Sequence, residues 1–133
     1  MTPDPSPVSF SWVARARSFR YAARGLRVLL ATQHNARLHL AATVAVVALG
    51  AFLPLTRLEW VAVLAAIGLV IVTETLNTAV ERLGDAVARD VHPAIGDAKD
   101  LAAGAVLVAS LTAALIGLIV FLPHIFALFV SLE

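Results

Sequence analysis

The sequence predicts an all-α membrane protein with an N-terminal amphipathic helix in the membrane interface and three transmembrane helices. Three observations lead there. Of 133 residues, 60% are hydrophobic and 14% charged, against about 45–50% and about 25% in soluble domains; the mean hydropathy is +0.89. Apolar runs of membrane-crossing length recur three times between short polar segments. The basic residues are also sorted to one side of the topology those runs imply.

Residues 1–9 contain Pro3, Pro5 and Pro7 and read as an unstructured lead. They lack the apolar stretch of a signal peptide, so cleavage is not expected. Residues 10–32 turn helical. Arg17, Arg20, Arg24 and Arg27 form a basic stripe, while Trp12, Phe19, Ala23, Leu26 and Leu30 line another face. Arginines level with lipid phosphates and aromatics in the acyl boundary describe an interfacial helix; a soluble amphipathic helix packed on a partner is the alternative.

Thr32 to His39 forms a polar elbow into the first span, 38–55, which only His39 and Thr43 interrupt. Pro54 to Glu59 reads as a tight turn, and Trp60 sits where an interfacial aromatic is expected. The second span, 59–84, is apolar from Val61 through Val72 and then acquires Thr73, Glu74, Thr75 and Asn77. Gly84 and the polar stretch to Asp100 close it, with His92-Pro93 breaking the helix. The third span, 99–122, carries no charge from Leu101 onward. Ala98, Ala102, Ala105, Ala109 and Ala113 repeat along it, either as a close-packing face or as ordinary apolar filler. Pro123 is expected to end it, leaving 124–133 as an apolar tail whose path is open. Residues 10–123 thus form one membrane domain.

Six arginines precede the first span, and Arg82, Arg89 and Lys99 lie between the second and third; Arg57 alone is opposite. Positive charge stays inside, so the chain is expected in the cell inner (cytoplasmic) membrane as a multi-pass protein with its N-terminus cytoplasmic. There is no Cys, which excludes thiol catalysis and Cys-held zinc. Lys99 is the sole lysine and no Gly-x-x-x-x-Gly-Lys-Ser/Thr stretch surrounds it, which excludes a P-loop. Nucleic acid is not an expected partner.

The second span carries the chemistry. Glu74, Asn77, Glu81 and Asp85 fall within a sector of roughly 80° on one helix face. Carboxylates inside apolar sequence are costly, and a functional role is their default reading. Glu74 lies two turns deeper than Glu81, at a depth a lipid hydroxyl reaches, and is a candidate proton acceptor. Glu81, nearer water, suits Mg²⁺ ligation, and Lys99 suits phosphate oxygens. A purely structural alternative is that Glu74 and Asn77 set helix contacts while Glu81 pairs with Arg82 or Lys99. Asp85, Asp90 and Asp97 read as solvated charge. These residues describe a site for an amphiphile with a surface polar group, without fixing the reaction.

Glu74-Thr-Leu-Asn-Thr-Ala-Val-Glu-Arg-Leu-Gly-Asp85 resembles the E-x-x-N-T-A-I/V-E-x-x-x-D signature of the prokaryotic diacylglycerol kinase and undecaprenol kinase family. Ala98-Lys-Asp-Leu-Ala-Ala-Gly-Ala-Val-Leu107 is similar to a second block of that family, as are Phe19 to Leu26, Asn35 to His39 and Leu58-Glu-Trp60. The resemblance spans about residues 18–123, and its His39 and His92-Pro93 features look more like the undecaprenol kinase branch. It implies a homotrimeric bundle with active sites shared between subunits, ATP as phosphoryl donor with Mg²⁺, and a membrane lipid alcohol as acceptor. That alcohol would be undecaprenol or diacylglycerol, giving undecaprenyl phosphate or phosphatidic acid. By the same resemblance Glu74 is the general base and Glu81 the metal ligand. Lys99 would contact the β- and γ-phosphates, Asn77 and Asp100 would order the site, and His92 would lie near the nucleotide. One position departs: Gln33 stands where relatives commonly carry a metal-binding Glu, so a weaker Mg²⁺ site is expected. Two other functions compete, a catalytically weakened member with an assembly or regulatory role and an oligomeric proton or cation pathway. Retention of Glu74, Asn77, Glu81, Lys99 and Asp100 opposes the first, and the apolar Val61–Val72 stretch opposes the second.

Overall fold

The computed structural model describes residues 11–87 and 92–130. The lead 1–9, the start of the surface helix at Phe10, Arg89, Asp90 and the last three residues of the tail lie outside the described residues. Within them the chain forms helices α1 (Trp12–Thr32), α2 (His34–Phe52), α3 (Arg57–Val87) and α4 (Pro93–Val130), with no strand among the described residues. The last three are long and apolar enough to cross a membrane.

Helix α1 starts at Ser11, whose hydroxyl accepts the Ala14 N–H at 3.3 Å. Its side chains are exposed apart from the last turn, where Leu29 is buried. The elbow is shorter than the sequence suggests: Gln33 alone leaves helical geometry (φ −105, ψ 121), and α2 begins at His34 rather than near Leu38. Arg37 is the reason. Its Nε donates to the Leu30 carbonyl at 2.8 Å and its Nη2 to the Ala31 carbonyl at 2.7 Å. A guanidinium from the next helix thus satisfies carbonyls that the end of α1 leaves free.

A reciprocal cap starts α3. The Thr56 N–H donates to Glu59 Oε2 at 2.7 Å, and the Glu59 N–H donates to Thr56 Oγ1 at 3.3 Å. This Thr-x-x-Glu box satisfies two of the helix's free donors. Trp60 then lies against α2 at Gly50, where an added Cβ would stand 3.0 Å from the indole ring and 3.1 Å from Leu55 Cδ1. Glycine permits that approach.

Helix α3 is the axis of the molecule. It packs most extensively on α4, and also against α2 and α1. At the Thr56 end its Val63 joins Leu53, Val120 and Phe121 in a small core. Along the same face Ala66 and Val70 are buried, followed by Glu74, Asn77, Thr78 and Gly84. Large apolar side chains such as Leu64, Val72, Leu111 and Leu115 point outward, a surface that lipid or further protein covers at lower cost than water.

Helix α4 continues through Pro123 to Val130, so residues 124–130 of the apolar tail extend it. A proline removes one backbone hydrogen bond, and spanning helices accept this where nearby groups satisfy the carbonyls. The carbonyl so freed is that of Ile119, four residues before Pro123; on the next carbonyl, His124 Nδ1 lies 2.9 Å from the Val120 oxygen. Since that oxygen only accepts, Nδ1 carries the proton.

Candidate active site

At the end of the bundle opposite Thr56, α3 brings four polar side chains onto one face. Glu74, Asn77, Thr78 and Glu81 recur at helical spacing, so they stack along the groove side of α3. The first three are buried at 3%, 8% and 5% exposure, while Glu81 is half-buried. The face is therefore graded, sealed at Glu74 and open at Glu81.

Two amides converge on Glu81. Gln33 Nε2 donates to Oε2 at 3.3 Å and Asn77 Nδ2 donates to Oε1 at 3.2 Å. The elbow residue and the α3 face predicted from sequence thus meet at one carboxylate. Beside them Arg82 Nη2 donates to Thr32 Oγ1 at 2.9 Å, tying α3 to the end of α1.

Three oxygens at this face have no hydrogen-bond partner among the described residues: Glu74 Oε2, Asn77 Oδ1 and Thr78 Oγ1. Each such buried atom costs about 1–3 kcal/mol of desolvation. Thr78 escaped the sequence reading, although its position one turn after Glu74 was the available signal.

Lys99 reaches the same end from α4. Its stem crosses α3 at Gly84, where an added Cβ would stand 2.8 Å from Lys99 Cε and 2.9 Å from Ile95 Cγ2. Its Nζ then pairs with Asp85 Oδ1 at 2.5 Å. Asp85, read from sequence as solvated charge, is exposed yet holds the site's lysine. Asp97 is exposed. His92 and Asp100 are exposed too; the His92 carbonyl accepts from Ile95 and Gly96 at the start of α4, which places the residue at the right end without joining its ring to Glu81 or Lys99.

No group of three or more His, Asp or Glu that could hold a metal by itself occurs among the described residues. A Mg²⁺ ion arriving on phosphates would keep waters and take only one or two protein carboxylates. Glu81 offers such a carboxylate and the orphaned Asn77 Oδ1 a neutral oxygen. Gln33 presents its nitrogen to Glu81, so its amide must turn to offer oxygen.

A separate cavity lies beyond these residues. An apolar groove of about 480 Å³ runs over α3 between α2 and α4, lined by Val63, Ala66 and Val70 below His39, Ser110 and Gly117. Its Val70 lies on α3 one turn before the buried carboxylate of Glu74.

A profile of the prokaryotic diacylglycerol kinase family matches residues 20–121. The chain is 38% identical over 109 residues to a protein named undecaprenol kinase from Bacillus subtilis, covering 82% of this chain and 89% of that one. It is 43% identical over 115 residues to a protein named diacylglycerol kinase from Synechocystis sp., covering 85% of this chain and 65% of that longer relative. The matched region takes in α1 from Arg20, all of α2 and α3, α4 through Phe121, and every residue of the graded face. On that extent of similarity, this chain belongs to the prokaryotic diacylglycerol kinase family.

Proposed function

We propose that this lipid kinase phosphorylates the hydroxyl of a membrane-embedded alcohol, with ATP as donor, at the cytoplasmic face of the cell's inner membrane. The observation that carries the reading is the gradient along α3, from buried Glu74, one turn past the apolar groove's Val70, to half-buried Glu81, with Lys99 crossing the same helix at Gly84. A lipid tail fits the groove, its hydroxyl reaches Glu74, and a nucleotide approaches from the open end.

Phosphoryl transfer needs positioning and charge neutralisation more than covalent chemistry. Glu74 accepts the proton of the lipid alcohol as its oxygen attacks the γ-phosphorus. Asn77 holds Glu81 from one side and Gln33 from the other. Lys99 exchanges Asp85 for phosphate oxygens, a short swing for a side chain already lying across Gly84. When bound, Mg²⁺ neutralises phosphate charge, with Glu81 as its carboxylate and Gln33 and Asn77 as amide neighbours.

The undecaprenol reading is supported by the relative whose length this chain nearly matches, and the diacylglycerol reading by the higher identity to the other. The homotrimer rests on the family resemblance, and the apolar faces that α2 to α4 turn outward leave room for either lipid or a second copy. The N-terminus-inside orientation rests on the asymmetry of basic residues. The apolar Val63, Ala66 and Val70 beyond Glu74 oppose a polar pathway through the bundle.

The test is transfer of labelled phosphate from MgATP in mixed micelles, with undecaprenol and dioctanoylglycerol offered separately. Label in one lipid identifies the acceptor. Label in neither overturns the kinase reading.

A further inference from the structure

The described helices hold Thr32, Thr43, Thr73, Thr75, Thr78 and Thr112. Five of them place the hydroxyl on the carbonyl four residues back: Thr32 on Val28, Thr43 on His39, Thr73 on Leu69, Thr75 on Ile71 and Thr112 on Val108, at 2.7 to 2.9 Å. That is the local bond a helical threonine ordinarily takes. Thr78 does not take it. Its Oγ1 is buried and has no partner among the described residues, on a side chain 5% exposed.

Two further orphans share its face, Glu74 Oε2 and Asn77 Oδ1. Ionised Glu74 only accepts, and so does an amide oxygen, whereas a hydroxyl can donate. A ligand oxygen that donates one hydrogen and accepts another satisfies Glu74 and Thr78 together. Residues four apart on a helix have Cβ atoms about 5–6 Å apart, room for one oxygen between their tips. Water and an alcohol both carry that pattern, and the apolar groove whose lining includes Val70, one turn before Glu74, favours an alcohol on an apolar chain.

We propose that Thr78 binds the acceptor alcohol directly, donating its Oγ1–H to the oxygen whose own proton points to Glu74 Oε2. This rests on the lipid kinase reading above and adds a residue to it. An alcohol oxygen has two lone pairs. Thr78 holds one, which turns the other toward phosphorus. As the new O–P bond forms and the bond from phosphorus to the ADP oxygen breaks, the alcohol proton passes to Glu74 and Thr78 keeps its own.

Thr78→Val removes the hydroxyl at nearly constant shape, and Thr78→Ser keeps it. Full-length protein in dodecyl maltoside micelles is assayed with undecaprenol and dioctanoylglycerol, and the rise in unfolding temperature on adding farnesol is measured without nucleotide. For Thr78→Val, kcat/KM for the lipid should fall about three- to tenfold, the value of one neutral hydrogen bond. KM for MgATP should stay unchanged, the lipid-free unfolding temperature should hold or rise because a buried unpartnered hydroxyl is removed, and the farnesol-induced rise should shrink. Thr78→Ser should restore both readouts. Unchanged kcat/KM together with an unchanged farnesol effect in Thr78→Val overturns the proposal. So does a loss that Thr78→Ser does not restore, or one matched by a lower lipid-free unfolding temperature or an altered oligomer, which assigns the hydroxyl to another helix or a second copy. Wild-type protein that responds to farnesol but phosphorylates neither lipid sinks the kinase reading and leaves the alcohol site to the binding arm. Wild-type protein that does neither sinks both.

Discussion

Gln33 donates its side-chain amide to Glu81 across 3.3 Å, so the single residue that breaks α1 from α2 also steadies the open-end carboxylate. The bond is between a neutral donor and an acid. Replacing Gln33 with Glu would set two carboxylates against each other and create a second charged oxygen donor for a divalent cation. Gln33→Glu should lower the Mg²⁺ concentration for half-maximal activity, by roughly tenfold for one added ligand charge. It should also lower the unfolding temperature in chelator and restore it with Mg²⁺. A Mg²⁺ titration identical to wild type would remove Gln33 from the metal's neighbourhood.

Gly84 holds no special backbone angle; its value is the space it leaves for Lys99. Gly84→Ala puts a methyl where Lys99 Cε and Ile95 Cγ2 now lie. The lysine end can move and the isoleucine branch cannot move as far. KM for MgATP should rise several-fold, with stability lower by about 1–3 kcal/mol from overpacking. A variant with the wild-type KM for MgATP would mean that Lys99 does not work from this position.

Glu74→Gln keeps size and polarity and removes the proton acceptor. A general base contributes about 10²- to 10⁴-fold. The lipid-dependent kcat should fall within that range while KM for MgATP holds. Transfer that survives the change at near wild-type rate would exclude the base role.

Arg37 caps α1 through two carbonyls at once, a fork that lysine cannot reproduce. Arg37→Lys should leave the bundle intact and loosen the α1 junction, seen as faster proteolysis and hydrogen exchange around Leu30 to Gln33. Because Gln33 lies at that junction, the Mg²⁺ requirement should rise as well. Unaltered exchange there would show that the cap is redundant.

Hydropathy marked the spans because apolar length is a local property of the chain. What it left open were the helix ends, which depend on contacts that hydropathy does not see. Arg37 ties α2, which starts at His34, to the end of α1, and α4 runs on past Pro123 to Val130. The Glu74–Glu81 face was visible from spacing alone. Its inner organisation was not. Whether Asp85 is solvated or holds Lys99 depends on α4 crossing α3 at Gly84, and the orphaned hydroxyl of Thr78 is recognisable only once the bonds of its neighbouring threonines are known.

The unpartnered oxygens of Glu74, Asn77 and Thr78 set function against durability. Each is a polar atom that a methyl would replace with a gain in resting stability, and such gains accumulate across neighbouring sites. Selecting this chain for survival of heat, with no assay for turnover, should therefore enrich Leu, Val and Ala at these three positions first. The toughest survivors of that selection would be inert, and the map of what they gave up would outline the site.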